Sequence, residues 1–407
     1  MKFLVNYSGK CGRLGVLSDM CNREGETFLT PFLTMYTRGG NVPHITHEVL
    51  QLLTKENLLM HMPLPNIMTV FPSIGASGQS VSEFVGLKEY PSYVTPQDPG
   101  IETPSGYNKG DQIAAWTKNG KRTVDPLKYM NMVEKLKPDI YLALCDGDTD
   151  SDSSKKRVLK SMTRTSKLFR ECYNHHKASA ALQSVAILAP IEGGYDLNAR
   201  RTTSEEMAGY DVDGYVFDGF HTNGATAEII SCDTLEPLVR ECLERLPKDK
   251  LRVIHGAWHP ATLIRLVALG CDVFDTSLPY LSTERGSALV FPFTDNMSQY
   301  TPLIDSLKIS EKEKISINPP YEISMDDDVH KEVFQPILMD CSCLACKQHT
   351  RAYIHHLLTS QELLGKVLLM IHNLHHYLEF FRSIRTAIKN DSLDALHHLV
   401  QYHRRPL

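Results

Sequence analysis

Three cysteines fall within one short run, Cys341-Ser342-Cys343-Leu344-Ala345-Cys346. Thiolates are soft ligands, and Cys-x-x-Cys spacing lets two sulfurs converge on one tetrahedral ion. Such compact runs are uncommon without a metal or cluster, so the spacing predicts a metal site. A fourth ligand is needed, and His349, His355, His356, His372, His375 and His376 are all candidates on spacing alone. An iron–sulfur cluster usually takes four cysteines, and no fourth lies nearby. A closed Cys3His site would be structural, with no open position for a substrate. The histidine pairs 355/356, 375/376 and 397/398 do not chelate as pairs, because adjacent helical residues point about 100° apart.

Two groups of carboxylates invite chemistry. Asp146, Asp148, Asp150 and Asp152 alternate as in a calcium loop. The match fails at position twelve, where a bidentate glutamate belongs and Arg157 stands. A solvated strand-to-helix loop is the plainer reading, with acids near a helix N-terminus. Asp275 follows Phe274 at the end of an apolar run. It could act as a nucleophile or cap the next turn, and the residues alone favour the cap.

Strands must position these groups. Short apolar runs occur at 93–95, 139–146, 184–193, 214–220, 251–257 and 272–278. Several are nearly continuous in apolar residues, which suits strands buried on both faces of a parallel sheet. Helical patterns lie between them, at 126–136, 154–175, 234–246 and 260–269. Repeated strand-then-helix units predict an α/β fold. The number of units favours a closed barrel over an open doubly wound sheet, and no Gly-x-Gly-x-x-Gly follows the early strands. The pattern changes after Pro279. The sequence divides into a barrel at 1–282, a loop-rich insertion at 283–335, and a helical, zinc-binding subdomain at 336–407 that completes the barrel. In the last part Leu357, Leu364, Leu368, Ile371, Leu374, Leu378 and Phe381 make an apolar stripe over one helical stretch, 350–387. A short helix is expected at 391–402.

The totals narrow the function. The 407 residues are 42% apolar, enough for a large core. A net charge of -5 excludes an overall basic field, so any RNA contact must be a local patch or come through a partner. Arg382, Arg385, Lys389, Arg404 and Arg405 are a modest basic set near the C-terminus. No apolar run reaches the length of a signal or a membrane span. With ten scattered cysteines, this predicts an intracellular protein with reduced thiols.

The run 341–385 closely resembles the zinc subdomain of tRNA-guanine transglycosylases. It carries C-x-C-x-x-C, then Arg351-Ala352-Tyr353, Leu364-Gly365 and His372-Asn373. A weaker resemblance covers the whole chain from Gly12. It implies a (β/α)8 TIM barrel with an inserted zinc-binding subdomain, one structural Zn2+ on Cys341, Cys343, Cys346 and His372, and exchange of wobble guanine in tRNA for a deazaguanine base.

The resemblance thins at the catalytic positions. The family's nucleophilic aspartate is kept as Asp275. Its following Thr-Arg stands here as Tyr280-Leu281, its second arginine as Glu284, and the next position is Arg285. A phosphate-facing arginine changed to glutamate swaps attraction for repulsion. The segment with the general base and a glycine turn corresponds to Tyr93-Val94-Thr95-Pro96-Gln97-Asp98-Pro99, without the glycines. The base-reading Gly-Gly pair corresponds to Asp218-Gly219, the pocket glutamine to Glu192, and the base-recognising aspartate to Asp146. Two acids kept from a five-part site do not position nucleophile, acid/base and RNA together. The resemblance therefore implies a non-catalytic partner subunit. Its remnants of the base pocket are Asp146, Glu192, Asp218 and Gly219, and Asp275 is vestigial. The implied partners are a catalytic queuine tRNA-ribosyltransferase subunit in a heterodimer, tRNA, and a second copy as a homodimer in isolation. The implied location is cytoplasmic, with peripheral association at the mitochondrial outer membrane. An active transglycosylase using Asp275 is the alternative, and a zinc-dependent hydrolase ranks last.

Overall fold

The computed structural model describes residues 1–9, 11–20, 23, 25–294 and 321–401. The chain divides into two compact units. One is Met1–Val42 with Glu56–Ser277, and the other is Pro43–Lys55 with Leu278–Leu407.

The first unit opens with an antiparallel sheet of β1 (Lys2–Gly9), β2 (Gly12–Ser18) and β3 (Phe28–Thr30). Eight parallel strands then close on themselves: β4 (Phe32–Tyr36), β5 (Leu59–Pro63), β6 (Ser92–Thr95), β9 (Ile140–Leu142), β10 (Ala186–Ile191), β11 (Gly214–Phe217), β12 (Leu251–Ile254) and β13 (Val273–Asp275). A hairpin of β7 (Ile113–Thr117) and β8 (Gly120–Val124) sits between β6 and β9 in sequence. The barrel confirms the α/β reading and decides it against the open sheet. Among its strands, β4 and β5 lie outside the apolar runs that the sequence marks.

Local chemistry explains the elements. The strands β9 to β13 are buried throughout, as near-continuous apolar runs require. All eight strands give a residue to one apolar cluster, from Phe32 and Leu59 round to Leu251 and Val273. Leu17 and Phe28 of the first sheet join it, so that sheet seals the N-terminal end of the barrel. Helices start where capping residues stand. Asp125 caps Pro126–Leu136, Ser154 caps Lys155–Ala178, and Asp196 caps Leu197–Ala208. Burial of Arg13 against Asp272 adds an ion pair inside this unit, with Nε donating at 2.8 Å.

The second unit holds the antiparallel pair β14 (Ser287–Leu289) and β15 (Glu322–Ser324), and the helices Leu344–Gln348, Arg351–Thr359, Leu363–Lys389 and Leu393–Gln401. Among the described residues, no barrel strand comes from 336–407. The barrel unit ends at Ser277, short of the expected boundary at 282, and Pro43–Lys55 belongs with the C-terminal unit. The stretch 350–387, expected as one helix, is two. Thr359 and Ser360 turn their hydroxyls back onto His355 and His356 carbonyls, and Gln361 adopts a left-handed conformation (φ 59°). That residue breaks the ladder.

Candidate functional site

The C-terminal unit builds a closed ligand set. Cys341, Cys343, Cys346 and His372 bring their donor atoms within 4.8 Å of one another. His372 Nδ1 lies 3.8, 3.7 and 3.3 Å from the three sulfurs in turn. A tetrahedral ion with ordinary zinc bond lengths would separate sulfur and nitrogen by roughly 3.6 Å. The cradle therefore fits a tetrahedral metal. His372 Nε2 donates to the Leu289 carbonyl at 2.9 Å, which fixes the tautomer and leaves the Nδ1 lone pair facing the thiols. Asn373 Oδ1 accepts from Leu289 N at 2.8 Å. The His-Asn pair thus grips one residue of β14 from both its N–H and its C=O.

The other candidate histidines are used elsewhere. His355 Nδ1 donates to the Met325 carbonyl at 3.0 Å, and His376 Nε2 to the Phe291 carbonyl at 3.0 Å. His375 lies 3.1 Å from Ser342 Oγ, beside the cluster and outside it. The buried Arg351 donates to the carbonyls of Pro336 and Ile337, holding the approach to the cysteines.

In the barrel unit, the residues singled out by sequence meet at one end. Asp146 follows β9, Glu192 follows β10, Asp218 and Gly219 follow β11, and Asp275 closes β13. These are the C-terminal ends of the strands, where barrel active sites stand. His61 of β5, Tyr93 of β6 and His255 after β12 pack together there, with ring centroids 4.9 to 5.5 Å apart. Burial lowers the pKa of both histidines, so both rings are held neutral. Tyr93 begins the segment that resembles the family's general-base segment, while no motif in the sequence marks the two histidines.

The pocket acids are largely committed. Asp275 Oδ2 accepts from Gly256 N and Oδ1 from Ser277 N, both at 2.7 Å. The cap reading of Asp275 thus has direct geometric support. Asp146 is fully buried beyond the end of β9, while Asp148, Asp150 and Asp152 of the same run are partly or fully exposed, as the loop reading expects. Arg157 donates to Asp146 at 2.5 and 3.1 Å, Asn108 at 2.6 Å, and Arg164 donates as well. Burial pushes the Asp146 carboxyl up, but the Arg157 bonds and charge, with Asn108 and Arg164, outweigh this and hold it low. Arg157, the misfit in the calcium pattern, is therefore the carboxylate's partner. Asp98 accepts from Tyr36 Oη at 2.8 Å and Asn66 Nδ2 at 2.7 Å, and burial raises its pKa.

Glu192 differs from the rest. It is fully buried, and neither carboxylate oxygen has a hydrogen-bond partner among the described residues. Burial and then Asp218 push its pKa well above the usual carboxylate range. Gly219 (φ 75°) passes so close that a Cβ would sit 2.3 Å from Glu192 Oε2. Cys145 Sγ donates to Asp218 Oδ2 at 3.6 Å.

The residues at the altered phosphate-binding positions are paired. Glu284 bonds His44 Nε2 at 2.6 Å and Lys366 Nζ at 2.9 Å. Arg285 donates to Glu322 at 2.8 Å. In the C-terminal basic set, Arg382 pairs with Glu379 and donates to Thr54 Oγ1, while Arg404 and Arg405 lie outside the described residues. A stronger basic feature is hidden by the acidic total. The helix Lys155–Ala178 carries eight Lys and Arg residues against one acid, Glu171. Lys155, Lys156 and Lys160 are exposed on it.

Comparison with known proteins agrees with this geometry. The family model for queuine tRNA-ribosyltransferase matches residues 8–405. A protein of Ixodes scapularis named queuine tRNA-ribosyltransferase accessory subunit 2 is 38% identical over 95% of this chain and 96% of its own. Proteins of the same name from Drosophila virilis and Aedes aegypti are 37% and 36% identical, each over 97% of this chain and 91% of their own. With its barrel and its Cys3His cradle, the chain belongs to the queuine tRNA-ribosyltransferase family.

Proposed function

We propose that this chain is the non-catalytic subunit of a heterodimeric queuine tRNA-ribosyltransferase. The complex would exchange guanine for queuine at the wobble position of tRNAs for aspartate, asparagine, histidine and tyrosine. One observation carries the reading: Asp146, at the position of the family's base-reading aspartate, is fully buried and bound by Arg157 and Arg164. A carboxylate held by two guanidinium groups has little left to offer a purine edge. Asp218 puts a carboxylate where the family brings bare backbone, and Glu192 puts a buried carboxyl where the family has an amide.

Dimerisation is supported by the C-terminal unit. Phe334, Met339, Leu344, Tyr353, Leu363 and Leu364 are six of its exposed large apolar residues, all within one stretch of sequence. Leu364 is the exposed member of the apolar stripe, whose other members are buried. Exposed apolar surface of this kind suits a protein partner, in the heterodimer or in a homodimer when the chain is alone. Zinc is the ion we assign to the Cys3His cradle, where it would tie the cysteine loop to the helix Leu363–Lys389 and to β14. Cytoplasmic residence with peripheral attachment to the mitochondrial outer membrane belongs to the same proposal and rests on family resemblance. Among the described residues no helix is long and apolar enough to cross a membrane.

The test is guanine release from wobble-guanine tRNA with queuine supplied. The chain is assayed alone and mixed with a catalytic subunit. Turnover only in the mixture is the expected result. The second reading, an active enzyme, draws on Asp275 at the end of β13, and turnover by the chain alone that Asp275→Asn abolishes would establish it.

A further inference from the structure

We propose that Cys145, Glu192 and Asp218 form a second metal site, at the mouth of the barrel and separate from the Cys3His cradle. It would take a borderline divalent transition metal such as zinc or cobalt(II).

The three ligands follow three neighbouring strands, β9, β10 and β11, so barrel closure brings them together. Their donor atoms all lie within 4.8 Å of one another. Cys145 Sγ and Asp218 Oδ2 are 3.6 Å apart, close to the roughly 3.5 Å that a tetrahedral zinc would set between sulfur and oxygen.

Glu192 shows that something is to be bound. A fully buried carboxylate with no hydrogen bond on either oxygen carries a large desolvation cost unless a proton or a cation accompanies it. None of the nearby guanidinium groups bonds Glu192, although the Arg200 charge favours its ionised form and Arg200 Nη2 has no hydrogen-bond partner among the described residues. Arg200 donates to the carbonyls of Gly194 at 2.9 Å and Ile191 at 2.6 Å, with its plane over the Phe220 ring. Arg157 and Arg164 are on Asp146. Gly219 leaves the space into which Glu192 Oε2 points, and any side chain there would close it.

Access and donor type agree. Asp218 is the partly exposed member of the three. It abuts Gly147, which lines a cavity with Gln97, Asp148 and Asn223. Metal can enter on that side, and water can fill the remaining coordination positions. One thiolate with two carboxylates suits zinc or cobalt(II) better than calcium or magnesium, which take oxygen sets. Binding replaces the Cys145 S–H bond with a sulfur–metal bond and the Glu192 O–H bond with an oxygen–metal bond, and releases both protons to solvent.

The experiment is metal stoichiometry on the full chain. The protein, with its Cys3His cradle loaded, is incubated with excess zinc or cobalt(II), freed of unbound metal, and measured by elemental analysis. The expected result is two equivalents per chain. Glu192→Gln, close to isosteric, and Asp218→Asn, at the more exposed position, should each return it to one, or weaken the second equivalent by roughly tenfold or more. Circular dichroism confirms that each variant is folded. On the unaltered chain, cobalt(II) titration should give a second step with weaker sulfur-to-metal absorption than the first, since one thiolate serves instead of three. A single equivalent on the unaltered chain at excess metal would overturn the site and leave a proton as the companion of Glu192. Two equivalents that persist in both folded variants would also overturn it, by placing the second ion elsewhere.

Discussion

Asp146 and Arg157 form a buried ion pair at the end of β9, with the guanidinium spanning both carboxylate oxygens. Arg164, two helical turns on, reaches the same carboxylate. The pair converts a position that could read a base into one that anchors the helix Lys155–Ala178 to the barrel mouth. Breaking a buried pair leaves the remaining charge uncompensated and costs about 3–5 kcal/mol. Asp146→Asn should therefore lower the unfolding free energy measured in urea by an amount of that order, with little effect on tRNA affinity of the assembled complex. A variant with unchanged stability and altered binding of free base would show that Asp146 still faces a ligand.

The metal cradle should matter to fold rather than to chemistry. Its four donors close the coordination shell, and His372 also hands its second nitrogen to Leu289. Structural zinc contributes on the order of 10 kcal/mol in small zinc-dependent domains. Stripping the ion with a strong chelator, or replacing Cys343 by Ser, should make residues 321–401 sensitive to limited proteolysis and abolish association with the catalytic subunit. The barrel unit, Met1–Val42 with Glu56–Ser277, should stay resistant. Equal loss of both units on chelation would show that the ion supports the barrel as well.

The metal ligands are legible because three of them are neighbours in sequence, and a thiol cluster has few other uses. The fourth is not legible from spacing, where six histidines compete. The fold chooses His372 because the helix Leu363–Lys389 sets it against Leu289. Most barrel strands are legible as buried apolar runs. The strands β4 and β5 are not, since a polar residue interrupts each apolar run, Thr34 in Phe32–Tyr36 and His61 in Leu59–Pro63. The state of the pocket is the least legible part. That Arg157 and Arg164 share a helix face follows from their seven-residue spacing, but that this face meets Asp146 follows only from the packing. Glu192, Asp218 and Cys145 are far apart in the chain, and only the strand order β9-β10-β11 makes them neighbours.

Glu284 gives a pH signature. His44 first, and then Lys366, hold its pKa down at about 2, against an ordinary value of 4.5. A carboxyl lowered in the folded state adds stability that is present above its unfolded pKa. That stability is lost as pH falls through the window from about 4.5 to about 2. The side chain is a third exposed, so the effect is modest. Glu284→Gln should flatten the acid limb of the stability curve in that window and leave the neutral plateau only slightly lower. Thermal melts across the acid range would check this. Identical acid limbs would mean that the pairs with His44 and Lys366 are not maintained in solution.

The basic helix offers the most direct test of tRNA binding. The chain as a whole is acidic, yet Lys155–Ala178 concentrates eight cationic side chains against one acid. Arg157 and Arg164 are spent on Asp146, Lys167 pairs with Asp111, and Lys177 pairs with Asp211. Lys155, Lys156 and Lys160 remain exposed at the N-terminal end, within the first turns after the loop that carries the pocket acids. Every phosphate that a lysine neutralises adds roughly 0.7–0.9 to the slope of log affinity against log salt. Replacing all three by Glu should weaken tRNA binding by the complex about tenfold or more at low salt and reduce that slope by about 2. The same triple change should leave unfolding free energies within about 0.5 kcal/mol, since these side chains are surface groups. Unchanged affinity together with an unchanged salt slope would remove this helix from the RNA interface and return attention to Arg385 and Lys389.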